Sequence, residues 1–288
     1  KPRGTCTVKT PAADGNRESW VLREMEELRK FLESEGLTSH AVRKFRDMVT
    51  AFYRRYGRNL PWRDTRNPYH VFVSEVMLQQ TQVARVKEKY TPFIKALPDF
   101  GTLARASKRR VLGLWQGMGY NRRAVAMQKA ARIIEAEFGG ALPSKREALE
   151  ALPGIGSATA SSILAFAFNK PVVVIETNIR AVYIALFFQK RDSVSDKELI
   201  PLVQRTVDRA NPRDWYNGLM DLGTLLKKLL PNPSRKSAHY RRQAPFEGSN
   251  RQVRSKIVKY LLSVDRGAPA EISRDLRLDT TKVLLNLR

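Results

Sequence analysis

The chain has 288 residues, with 52 Lys plus Arg against 28 Asp plus Glu, three His and a formal charge of +24. Such an excess of cations argues against an uncharged small molecule as substrate and makes a polyanion the expected partner. With 42% hydrophobic and 28% charged residues the chain can bury a core, and no apolar run approaches the roughly 18–20 residues that span a bilayer.

No signal-peptide pattern opens the sequence, so a soluble cytoplasmic protein, nucleoid-associated and without membrane contact, is expected. Cys6 is the only cysteine, which excludes an intrachain disulfide, a CxxC zinc site and a four-thiolate cluster. His40, His70 and His239 are too scattered to suggest a metal site, and no metal is expected.

Residues 1–17 carry Pro, Gly and charge without apolar period and read as a disordered tail. From Ser19, Val21, Leu22, Met25, Leu28, Phe31 and Leu32 recur at helical spacing until Gly36. A second helix spans Ser39 to Tyr56, its apolar face ringed by Arg43, Lys44, Arg46, Arg54 and Arg55, either a solvated face or a set of phosphate contacts. LPWRDTRNP is a proline-broken connection, and helical patterns follow at 69–86, 90–96, 101–106, 108–115, 120–138, 145–151, 157–168, 177–189, 195–210, 212–229 and 250–263. Only Val172 to Ile175 looks like a β run, so the fold class is all-α. Lys227 to Gln243 is a basic loop, a linker or a nucleic-acid contact. Beyond it, 269–276 and 278–287 add two short helices with a rhythm like a helix-turn-helix pair.

The most specific local signal is Leu152-Pro153-Gly154-Ile155-Gly156-Ser157-Ala158 between two helical patterns. Two glycines allow a tight turn, and the amides opening the next helix can grip a phosphate without a side chain. A nucleotide-binding GxG would have to follow a β-strand; this one follows a helix. Glu176, after the apolar run, stands at the start of a predicted helix, either as a dipole-stabilising carboxylate or as a site anion. Glu75 lies on a helix rich in Val, Met and Leu, where a carboxyl partly stripped of water would have a raised pKa and could act as an acid, or it is a surface residue.

Together, SEVMLQQTQV at Ser74–Val83, WQGMGY at Trp115–Tyr120, LPGIG at Leu152–Gly156 and MDLG at Met220–Gly223 resemble, in order and spacing, the helix-hairpin-helix DNA glycosylase superfamily and its adenine-excising branch. The resemblance covers roughly residues 39–245 and implies two helical subdomains with a DNA-binding cleft between them. One would be 72–185, with the hairpin, and the other 18–71 with 186–245. Residues 246–288 would form a small helical segment, a winged-helix-like module or a packing cap.

By this resemblance Glu75 protonates the departing adenine, Glu176 faces the cationic sugar and Asn178 orients the site. Trp62, Arg63 and Leu78 line the substrate pocket, while Gln80 and Tyr120 wedge into the base stack. Gly154, Ile155, Gly156, Ser157 and Ala158 hold a phosphate, with a monovalent cation at the hairpin, and the partner is double-stranded DNA carrying a mismatched or damaged pair, bound by a monomer. Three departures matter. Glu176 replaces the family's Asp, and its extra methylene displaces the carboxylate by roughly an ångström. Ala158 stands where bifunctional relatives carry a Schiff-base lysine, which implies hydrolysis without lyase activity. The four cluster cysteines are missing, so no iron–sulfur cluster is expected. Lys227, Arg235, Lys236, Arg241 and Arg242 would meet DNA phosphates instead.

The expected activity is removal of adenine opposite guanine or 8-oxoguanine. A thymine or uracil mismatch glycosylase, and an inactive DNA-binding protein of the same fold, are the alternatives.

Overall fold

The computed structural model describes residues 14–242, 244–264 and 266–287. In chain order the α-helices are α1 (Asp14–Glu35), α2 (Ser39–Tyr56), α3 (Pro68–Leu78), α4 (Val83–Ala96), α5 (Phe100–Arg105), α6 (Lys108–Leu114), α7 (Arg122–Phe138) and α8 (Arg146–Glu150). They continue as α9 (Ser157–Phe168), α10 (Thr177–Phe187), α11 (Asp196–Thr206), α12 (Pro212–Leu229), α13 (Asn250–Ser263), α14 (Pro269–Leu276) and α15 (Thr280–Leu287), with a 3₁₀ turn at Pro233–Lys236. Among the described residues the only β pairing is a single parallel bridge, Val194 to Ser237, so the protein is all-α as expected.

Two compact units share the chain: residues 1–58 with 169–240, and 59–168 with 241–288. In the first, α12 packs on α10 and α2. Its core centres on Phe45, edge-on to Trp215 at 5.1 Å and to Tyr183 at 5.7 Å. Close helix approach is a sequence property here. A Cβ on Gly218 would stand 2.8 Å from Val49, and one on Gly223 only 2.0 Å from the Asn178 carbonyl oxygen. Arg46, one of the cations ringing α2, is not a free surface charge. It donates to the carbonyls of Thr206 (3.0 Å) and Val207 (2.8 Å), where α11 ends and carbonyls lack intrahelical partners.

In the second unit α3 is the central helix: Tyr69, Val71, Phe72, Val73, Val76 and Met77 are all buried, against α9, α4 and α7. Asn67 caps its start by accepting from the Tyr69 amide at 2.9 Å, and Pro68 at its first position already has helical φ. The last helices close a small core of Val253, Ile257, Ile272 and Val283. Arg109 on α6 donates to the carbonyls of Leu261 (3.2 Å), Leu262 (2.8 Å) and Val264 (3.1 Å), satisfying the end of α13.

Several expectations change. The predicted helix 69–86 is two helices broken at residues 79–82, and 90–96 belongs to the second of them. Residues 14–17, predicted as tail, start α1, while residues 1–13, Cys6 among them, lie outside the described residues. The chain leaves the first unit at Arg58 and returns at Asn169, not at 71 and 186, because α10 packs on α12. Residues 241–288 join the second unit instead of standing alone, through the packing of α13 on α6.

Candidate active site

In the second unit Glu75 is half-buried on α3, flanked in sequence by the buried Ser74 and Val76. Trp62, in the turn before α3, is buried with its ring edge-on to Tyr90 at 5.6 Å; Arg63 and Leu78 are half-buried. Gln80 is exposed at the break after α3 with φ +53°, and Tyr120 is half-buried with φ +46°. Left-handed backbone in a side-chain-bearing residue costs of order 1–3 kcal/mol and persists only where the surroundings enforce it.

A residue that sequence reading passed over does the enforcing. Arg123, buried in the first turn of α7, sends one guanidinium nitrogen to the carbonyls of Val76 (2.9 Å), Met77 (2.9 Å) and Gln79. The other reaches Thr81 Oγ1 (2.8 Å) and the carbonyls of Met118 (3.2 Å) and Gly119 (3.2 Å). One cation thus terminates α3 and fixes the two loops that carry Gln80 and Tyr120. Burial lowers its pKa to about 10, so it stays charged at neutral pH. Its signal in sequence was a charge beside Ala124 and Met127 on the buried face of the helix.

The hairpin has the turn its glycines suggested. Gly154 has φ +82°, and a Cβ there would lie 2.9 Å from Ala126. Ile155 is buried, while Gly156, Ser157 and Ala158 are exposed at the start of α9, where a helix offers unpartnered amides and its positive dipole end. Gln79 Nε2 donates to the Gly154 carbonyl and to Thr159 Oγ1, both at 3.1 Å, tying the hairpin to the end of α3.

In the first unit Glu176 caps α10. Its Oε1 accepts from the amides of Asn178 (2.9 Å) and Ile179 (3.3 Å), and Asn178 Nδ2 points to Oε2 at 3.4 Å. Thr224 Oγ1 in turn lies 3.4 Å from Asn178 Oδ1. The extended run before it is held by Tyr216 of α12, whose hydroxyl donates to the Val172 carbonyl (2.6 Å) and accepts from the Val174 amide (3.3 Å). Burial pushes the Glu176 carboxyl above the usual carboxylate range; the Asn178 and Ile179 amides, the Asn178 side chain and the charge of Lys227 pull the other way. The charge of Lys227, a residue expected to meet DNA phosphates, also favours the ionised form of Glu176. Glu75 belongs to one unit and Glu176 with Asn178 to the other, where the sequence reading had put both acids in one subdomain.

The basic loop is organised by hydroxyls and amides. Ser234, buried, donates to Asn232 Oδ1 at 2.7 Å, and Ser237, also buried, accepts from the His239 amide at 3.2 Å. Val194 clamps the loop, donating to the Lys236 carbonyl (2.8 Å) and accepting from the Ala238 amide (2.9 Å). Serines and lysines supply no soft thiolate donors, so these residues do not fit a four-iron cluster. Lys236 Nζ is committed to the Gln189 carbonyl at 2.7 Å; Arg235, Arg241 and Arg242 are exposed. Among the described residues no group of three or more His, Cys, Asp or Glu could hold a metal, and no helix is long and apolar enough to cross a membrane.

Residues 73–204 match the model of the HhH-GPD superfamily of base excision DNA repair proteins. Similar curated proteins include an adenine DNA glycosylase of Buchnera aphidicola (subspecies Baizongia pistaciae), 35% identical over 63% of this chain and 52% of its own length. The human adenine DNA glycosylase is 37% identical over 63% of this chain and 36% of its own length, and the Rattus norvegicus protein 34% over 77% and 46%. The chain thus spans about half, or less, of the relatives it matches. Among solved structures, a thermostable thymine-DNA glycosylase aligns with TM-score 0.56 and 26% identity over 63% of this chain and 85% of its own. An endonuclease III trapped on DNA aligns at TM-score 0.53 and 19% identity over 64% and 85%.

Proposed function

We propose that the chain is a member of the helix-hairpin-helix superfamily of base excision DNA repair proteins, whose model residues 73–204 match, and that it is an adenine DNA glycosylase that cuts the base–sugar bond by hydrolysis. The observation carrying this reading is Glu75: a half-buried carboxyl on a helix whose apolar side chains are buried, next to a turn held in a strained conformation by Arg123. Relatives named adenine DNA glycosylase match 46–63% of this chain at 31–38% identity.

In this mechanism Glu75 donates its proton to N7 of the extruded adenine while the glycosidic electron pair leaves with the base. The Glu176 carboxylate balances the positive charge that develops on the sugar, and Asn178 holds that carboxylate. Water then adds to the sugar carbon, with Glu75, now ionised, accepting its proton. Gln80 and Tyr120 fill the space the base leaves, which offsets the few kcal/mol of lost stacking. Ala158 supplies no amine, so the abasic site is left uncut. The hairpin from Gly154 to Ala158 would hold a phosphate, a monovalent cation there supplying further positive charge, and exposed Arg235, Arg241 and Arg242 add phosphate contacts, in place of an iron–sulfur loop.

The test is single-turnover excision on duplexes carrying A opposite G, A opposite 8-oxoguanine, T opposite G and U opposite G, with alkali to reveal abasic sites. Adenine loss from the first two is expected. Loss of T or U alone would move the assignment to the thymine-type reading that the 26%-identical neighbour supports. Glu75→Gln is expected to lower the rate at least about 10³-fold with DNA affinity retained.

A further inference from the structure

We propose that the C-terminal helices serve the site, through Arg251 as a positioning residue for Tyr120; this rests on the reading of Tyr120 as the residue that enters the base stack. Arg251, in the first turn of α13, donates from Nη1 to the Tyr120 hydroxyl at 2.9 Å, and its guanidinium lies 5.6 Å from the ring centroid. Arg123 lies 5.7 Å from the same ring. A tyrosine in left-handed backbone, beside Gly117 (φ +85°) and Gly119 (φ +69°), is therefore oriented by two cations and one charge-assisted hydrogen bond.

Arg251 is itself anchored. Its Nη2 donates to the carbonyls of Ala244 (2.6 Å) and Pro245 (3.3 Å), and the far end of α13 is pinned to α6 by Arg109. The separation of 131 residues means that the last helices must be folded and docked for this contact to exist. A wedge pre-oriented in this way spends less of its binding energy on ordering itself as the base leaves the stack.

The experiment uses the full chain and four variants, Arg251→Met, Arg251→Lys, Tyr120→Phe and the Arg251→Met/Tyr120→Phe double. It reads Kd, single-turnover excision, and base extrusion from the fluorescence of 2-aminopurine placed at the target. Arg251→Met is expected to slow extrusion and excision about tenfold while Kd moves by less than about twofold, with Arg251→Lys intermediate. Tyr120→Phe should slow extrusion in the wild-type background and add nothing in the Arg251→Met background. Unchanged extrusion, additive effects, or a change confined to Kd, as a plain phosphate contact would give, overturns the proposal. Should Arg251→Met fail to fold, Tyr120→Phe and Arg251→Lys decide. Extrusion without adenine loss in the wild type would instead sink the glycosylase reading and leave the Arg251 assignment measurable.

Discussion

Glu176 is costly where it stands. Its folded pKa is raised by burial, so the stability it allows is fully present below the ordinary glutamate value and is lost as pH rises through the folded pKa. Glu176→Gln keeps an oxygen to accept from the Asn178 and Ile179 amides and removes the half-buried charge. Its melting temperature should match wild type at about pH 4 and exceed it as pH rises through the folded pKa of Glu176, the difference levelling off above that point, while excision is lost. A variant no more stable than wild type at any pH would remove the claim that the charge is held at a cost. Activity runs the other way: the anion is needed, so the rate rises with pH as Glu176 ionises. Lys227→Met, which deletes a charge that favours the anion, should move this acid limb to higher pH. The sequence announced Glu176 because an apolar run ended on a carboxylate before helical spacing. It could not announce Lys227 as that carboxylate's electrostatic partner, because α12 lies far along the chain.

At the level of elements, the starts and ends of α9, α12, α13 and α14 agree with the periodicity because their stops are local: Pro, Gly, Asn and Ser lie at the junctions. The break between α3 and α4 has no such marker. LQQTQV contains no breaker, and the helix stops because a guanidinium from α7 takes up its last carbonyls. Arg123→Met would leave those carbonyls and the Thr81 hydroxyl without the donor. It should cost about 2–4 kcal/mol in a denaturant titration, with Arg123→Lys recovering only part because a point charge lacks the fork. The glycine of the MDLG block has an equally specific task. Gly223→Ala would put a methyl 2.0 Å from the Asn178 oxygen, a backbone atom at the start of α10. We expect a loss of about 3 kcal/mol or more, together with weakened excision as α10 and its cap are pushed aside. Gly113→Ala on α6, with open space around it, should be neutral or stabilising by up to about 1 kcal/mol. Equal effects at the two positions would mean that helix propensity and not close approach selects Gly223.

For the molecule as a whole, the charge of +24 was the first clue to a polyanion, yet some of the cations are engaged by the fold itself. Arg29, Arg46, Arg109, Arg110, Arg123 and Arg132 each donate to backbone carbonyls. Composition cannot separate cations that brace the backbone from those that meet a partner, just as periodicity could not show that the first unit is built from two stretches of chain meeting across α2, α10 and α12. Salt dependence separates them. Each phosphate neutralised releases condensed counterions and adds about −0.9 to the slope of log K against log salt. Neutralising exposed Arg241 and Arg242 together, as Arg241→Gln/Arg242→Gln, should reduce the slope by about 2 and weaken binding to matched and mismatched duplexes alike, with the melting temperature unchanged. Arg46→Gln should do the reverse, lowering the melting temperature by removing the donor at the end of α11 while leaving the slope as it was. Identical slopes for wild type and the Arg241/Arg242 variant would show that the loop does not meet the phosphate backbone. The hairpin at Gly154–Ala158 would then have to hold the duplex with other cations.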